Sequence, residues 1–159
     1  MIHQGGDMKK IFKLLTVFIL VCSLTMAGDY TPGTYRSSKE ATHSRGFSYT
    51  NFITMVVGEG GRIEQIFIDA TFPVDARDLS KGFSTKQVMG DSYGMKLASE
   101  IGREWNEQAD AIADHVVENQ EIAFKMNEDR TTDDIAGASV KVDYYVSILE
   151  ELMAQARAK

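Results

Sequence analysis

The stretch Asp133-Asp134-Ile135-Ala136-Gly137-Ala138-Ser139 has the composition and position to do chemistry. Three small residues, Ala136, Gly137 and Ala138, lead to a hydroxyl at Ser139. An apolar repeat of helical spacing follows at Tyr145, Ile148, Leu149, Leu152 and Ala156. The repeat predicts a C-terminal helix from about Val140 to Ala156, which sets Ser139 at its entrance. Two readings share that geometry. In one, Ser139 is an N-cap and the small residues form a tight turn. In the other, the helix start offers unpaired N–H groups and the positive end of its dipole to a phosphate. Gly137 and Ala138 then let a bulky group approach the backbone, and the Ser139 hydroxyl carries the phosphate as an ester.

Little else in the chain competes for a chemical role. One cysteine, Cys22, excludes a disulfide framework, a thiolate zinc site and an iron–sulfur centre. His43 falls in a polar stretch, and His115 flanks an apolar stripe with no partner at metal-ligand or catalytic spacing. Gly58-Glu59-Gly60-Gly61 precedes a strand pattern, so it reads as a hairpin turn and not as a phosphate cradle. Neither a nucleophile elbow nor a dinucleotide fingerprint is present, and no nucleophile has a base at a recognisable spacing, so the chain is not read as an enzyme in its own right. The net charge of −6 over 159 residues argues against a nucleic-acid footprint, which needs a basic face.

The remaining elements must position Ser139. Phe47, Tyr49, Ile53, Met55 and Val57 alternate with Ser48, Thr50 and Thr54, a period of two. After the glycine turn, Arg62 to Thr71 alternates again, with Ile66, Ile68 and Ala70 on one side and Ile63 and Phe67 on the other. These two segments predict a β-hairpin. Thr34-Tyr35-Arg36 starts a further short strand. Phe72 to Val88 carries Pro73, Gly82 and scattered charges and reads as a long surface loop, from which Phe72 and Phe83 could reach a ligand. Tyr93 to Ile101 reads as a short helix. Trp105, Ala109, Ile112, Ala113 and Val116 form one stripe of an amphipathic helix, with Trp105, Met55 and Met95 as core. Strands first and helices later give an α+β class: a small antiparallel sheet built on a β-hairpin and packed on one face by helices, including a long C-terminal one.

The segment ending at Ser139 resembles the flavinylation motif of the FMN-binding domain family, Asp-x-x-Ser/Thr-Gly-Ala-Thr. That family includes the C subunit of the sodium-translocating NADH:quinone reductase and many exported electron-transfer flavoproteins. Asp133 takes the place of the motif aspartate, Gly137 and Ala138 match the small pair, and Ser139 stands where the acceptor threonine stands. Ala136 replaces the usual serine or threonine. An early Gly-Thr-Tyr, a hairpin, Tyr93-Gly94-Met95-Lys96 and Trp105-Asn106-Glu107-Gln108-Ala109 extend the likeness along the chain. The resemblance implies FMN esterified through its phosphate to Ser139, a flavin transferase for maturation, and redox partner proteins at or outside the membrane. Asp133 is then expected to serve transferase recognition or loop geometry. A non-redox periplasmic binding or interaction domain of the same fold is the alternative.

The start of the chain fits an exported protein. Lys9, Lys10 and Lys13 precede an apolar run from Leu14 to Leu24, and Thr25-Met26-Ala27 offers small residues for cleavage. This is the pattern of a secretory signal peptide, and the run is shorter than the ~20 residues that span a bilayer. An uncleaved signal would instead leave a membrane anchor. The expected organisation is an N-terminal extension and signal peptide over 1–27 and a single FMN-binding domain over 28–159. Three lysines and Asp7 would leave with the signal, taking the net charge from −6 to about −8.

Overall fold

The computed structural model describes residues 28–157. The signal-peptide segment lies outside the described residues. Four strands, β1 (Gly33–Thr42), β2 (Ser48–Val57), β3 (Ile63–Pro73) and β4 (Phe83–Thr85), form one antiparallel sheet in the order β1-β2-β3-β4. Three helices follow: α1 (Lys86–Met89), α2 (Trp105–Asn119) and α3 (Asp143–Arg157). The architecture is α+β, as the order of patterns predicts.

The hairpin forms where the alternation places it. Tyr35 pairs with Met55, and Ile53 with Ile68, so these side chains share the inward face. Gly61 closes the turn at a φ of 71°, which a residue without a β-carbon adopts at little cost. One side-chain assignment fails. The alternation predicts Ile63 on the face opposite Ile68, yet both are buried. A bulge between Val56 and Val57 shifts the register, and the extra residue turns Ile63 inward.

Helices α2 and α3 cover the inward face, α2 against β3 and α3 against β1 and β2. Ile112 and Val116 of α2 and Ile148, Leu149 and Leu152 of α3 are fully enclosed, so the predicted stripes are the core. Truncating any of these large residues to alanine removes about 2–5 kcal/mol. At the far end of α3 the Ala156 carbonyl accepts the Thr31 N–H at 2.9 Å, and Arg157 donates to the Tyr30 hydroxyl at 2.9 Å.

Three segments differ from expectation. Phe72 to Val88 is no long loop. Phe72 is buried in β3, a 3-10 turn spans Leu79–Lys81, and β4 runs into α1, whose N-terminus is capped by the Thr85 hydroxyl. Phe83 is exposed. Tyr93 to Ile101 is no helix either. A 3-10 turn over Gly90–Tyr93 ends at Gly94 in the left-handed region. The Glu104 carboxylate then takes the N–H groups of Met95 and Lys96, at 2.8 and 3.1 Å, out of any helical ladder. Leu97 is fully exposed, so the apolar residues there never form one face. The C-terminal helix starts at Asp143, not near Val140. The Val142 N–H donates to the Arg130 carbonyl at 2.7 Å, which holds the chain off helical geometry until the next residue. Val142 lies three positions before Tyr145 and is buried, so its spacing imitates one more helical turn.

Candidate functional site

Ser139 therefore stands four residues ahead of α3 and is not its N-cap. Its neighbourhood is built by α2. Gln108, completely enclosed on that helix, accepts from the Ser139 N–H at 2.8 Å and from the Ser139 hydroxyl at 3.1 Å. The other end of the Gln108 amide donates to the Ser99 hydroxyl and the Arg103 carbonyl, each at 3.1 Å. The Ala138 N–H is engaged by the Ile135 carbonyl at 3.2 Å. So the two N–H groups expected to cradle a phosphate are already paired. The positive end of α3 is met by the Asp143 carboxylate, itself 3.3 Å from Arg130.

The small residues keep their expected role by another route. Gly137 has a φ of 95°, in the region that favours glycine. The exposed Arg103 guanidinium occupies the space that a β-carbon at Gly137 would need. A cation thus lies against the backbone two residues before Ser139. Ala136 is exposed and Ala138 buried. Asp133 is exposed and accepts from Asn127 Nδ2 at 3.2 Å, which ties the start of the segment to the preceding loop.

Ser139 borders two clefts. The first, of about 750 Å³, is lined by Ser99, Glu100, Glu128, Asp129, Asp133 and neighbours, with four carboxylates and no basic side chain among the described residues. The second, of about 620 Å³, has Tyr49 and Asn51 of β2, Lys86 of α1, Tyr93, Trp105 of α2 and Tyr145 of α3 in its walls. Its volume lies in the range of small-molecule sites. Arg130 and Lys141 stand at its edge, with Asp143 as its one lining carboxylate among the described residues.

Lys86 is the unusual group of this second cleft. It is 7% exposed, and its ammonium lies 5.0–5.2 Å from the ring centres of Tyr49, Phe72, Tyr93 and Trp105. Ring faces attract a cation, and these offset part of the cost of burying it. Burial still pushes the ammonium down to about 8, while the charge of Asp69 acts in the opposite direction. Asp69 Oδ1 meanwhile accepts the N–H groups of Ala70 and Gln87, at 2.7 and 3.0 Å, and so fixes the start of α1 under Lys86. Asn51 is 3% exposed, and its Nδ2 has no hydrogen-bond partner in good geometry. Burial raises the Tyr49 hydroxyl, and the Asn51 amide acts in the opposite direction. Burial raises Tyr93 to about 12 and pushes Tyr145 well above its ordinary range, so both stay protonated at neutral pH. The Trp105 indole donates to Tyr145 at 3.2 Å.

Aromatic walls, one enclosed cation, a free amide donor and a hydroxyl at the rim suit a planar conjugated ligand with carbonyl oxygens and negative charge. The sequence pattern singles out Ser139, which the fold sets at the border of both clefts, and places Trp105 in the core, where it is also cleft wall. It misses Lys86, Asn51, Tyr93 and Gln108. One indication was present: Asn51 occupies an inward position in the alternation between Tyr49 and Ile53. No family model, curated protein or solved structure matches this chain.

Proposed function

We propose that the protein is an exported electron carrier that holds FMN through a phosphate ester at Ser139 Oγ, with the flavin ring in the aromatic cleft beside Lys86. The observation that carries this reading is the position of Ser139. The one hydroxyl that matches the acceptor of the flavinylation motif lies at the rim of a cleft whose walls suit an isoalloxazine. Export rests on the N-terminal pattern of Lys9 to Ala27.

The residues fit the group in three respects. Gln108 holds Ser139 at the rim through its backbone N–H, and the hydroxyl's own bond to the same amide oxygen is given up when the ester forms. Arg103, Arg130 and Lys141 supply cationic groups for a phosphate diester near Ser139. Tyr49, Tyr93 and Trp105 give flat apolar surface, and Asn51 offers an unused donor to a ring carbonyl. Esterification by a flavin transferase replaces the Ser139 hydroxyl proton with the FMN phosphorus, and AMP leaves from FAD. A bound flavin would supply electron transfer between partners, and the chain's part would be to orient it and set its electrostatic surroundings.

Co-expression with a flavin transferase, followed by denaturation and intact-mass analysis, tests the reading. The expected product keeps its yellow colour and an FMN mass increment when unfolded. Ser139→Ala is expected to lose both, and Ser139→Thr to keep them. Colour released on denaturation would mean flavin held without the ester. A colourless wild-type protein would overturn the reading in favour of a binding domain without flavin.

A further inference from the structure

The cleft contains a charge that the fold itself does not use. A buried ammonium is costly unless it is paired, and an apolar side chain at the same place packs without that cost. Lys86 has no ion-pair partner among the described residues; Asp69, its nearest electrostatic influence, spends an oxygen on two backbone N–H groups. Four ring faces hold the ammonium in place but do not neutralise it. Asn51, which lines the same cleft, has its Nδ2 enclosed with no acceptor in good geometry. A positive charge and a hydrogen-bond donor, both enclosed and both lining one cleft, are arranged to meet an anionic, carbonyl-bearing edge.

Building on the assignment of Ser139 as flavin carrier, we propose that Lys86 sets the reduction potential: its ammonium compensates the negative charge that the flavin ring gains on reduction, and Asn51 donates to the same edge of the ring. Two electrons from a reductant and one proton from solvent add one negative charge to the ring system. A fixed cation in a site of low polarity favours that reduced, charged form over the oxidised, neutral one. Lys86 thus raises the potential of this carrier relative to the same fold with a neutral residue at position 86.

The test uses the full chain, flavinylated by co-expression with a transferase and checked by intact mass, then titrated with dithionite against a reference dye. Lys86→Met is expected to weaken the preference for the reduced form at least tenfold, a fall of about 30 mV for a two-electron couple. Lys86→Arg, which keeps the charge, is expected to restore most of it. Equal potentials in wild type and Lys86→Met would overturn the proposal while leaving the ester at Ser139 intact. A wild-type chain bare by mass would remove the Ser139 reading itself, an outcome seen before any titration. If Lys86→Met fails to fold or load, Lys86→Gln, neutral but polar, takes its place: the same fall is expected, and a potential equal to that of wild type would overturn the proposal.

Discussion

Two clefts meet at Ser139 and differ in sign. On one side Glu100, Glu128, Asp129 and Asp133 line a polar hollow with no basic group among the described residues. On the other, Lys86, Arg130 and Lys141 outnumber Asp143, and aromatic rings make the wall. A group attached at Ser139 can turn either way, and charge selects the direction. A phosphate-bearing group on Ser139 would be repelled by the first cleft and attracted by the second. The contrast also separates two uses of polar residues. In the acidic cleft carboxylates are solvated and tie loops together, as Asp133 does with Asn127 and Asp129 with Thr131. In the aromatic cleft Lys86 and Asn51 are enclosed, and neither forms an ion pair among the described residues.

The sharpest way to break the contrast is to release Ser139 from α2. Gln108→Leu would leave the Ser139 N–H and the Arg103 carbonyl without their partners, and is expected to cost about 3 kcal/mol in urea denaturation. It should also lower the flavinylated fraction, because the rim of both clefts would no longer be held.

A smaller effect isolates the cationic side. Lys86 is less basic folded than unfolded, so between about pH 8 and its ordinary value of 10.5 the unfolded chain binds more protons. Stability from this group therefore rises with pH through that window. Wild type is expected to gain about 2–3 kcal/mol at this group between pH 7 and pH 10, and Lys86→Met to lack the gain. The difference between the two denaturation curves checks it. Above pH 10 the raised Tyr93 and Tyr145 hydroxyls act oppositely, since the unfolded chain then loses protons that the folded one retains.

The smallest effect concerns the backbone two residues before Ser139. Gly137→Ala places a β-carbon at a φ of 95° and against the Arg103 guanidinium. It is expected to cost about 1 kcal/mol, read as a fall in Tm, because Arg103 is exposed and can swing away.

These contrasts were unequally legible in the sequence. The hairpin and the stripes of α2 and α3 could be read because each is a local period whose apolar residues all go to one core. The start of α3 could not, since the Val142 N–H answers to Arg130, a partner twelve residues back. The aromatic cleft draws on residues 49, 51, 86, 93, 105 and 145, and no local pattern joins them. Lys86 was hidden further by Asp75, Arg77, Asp78 and Lys81, which give its surroundings the look of a solvated loop. Its burial depends on the Thr85 cap and on Asp69 holding Gln87, both visible only once β3 and β4 pair.

The bond between the Thr31 N–H and the Ala156 carbonyl has a consequence for orientation. It pins the first described residues beside the last turn of α3, whereas the clefts open near its first turn. Fifteen helical residues separate the two poles by about 22 Å. Whatever leads into Gly28 thus departs from the pole remote from Ser139. If that lead is fastened to a lipid surface, the domain points its clefts outward, toward diffusing partners.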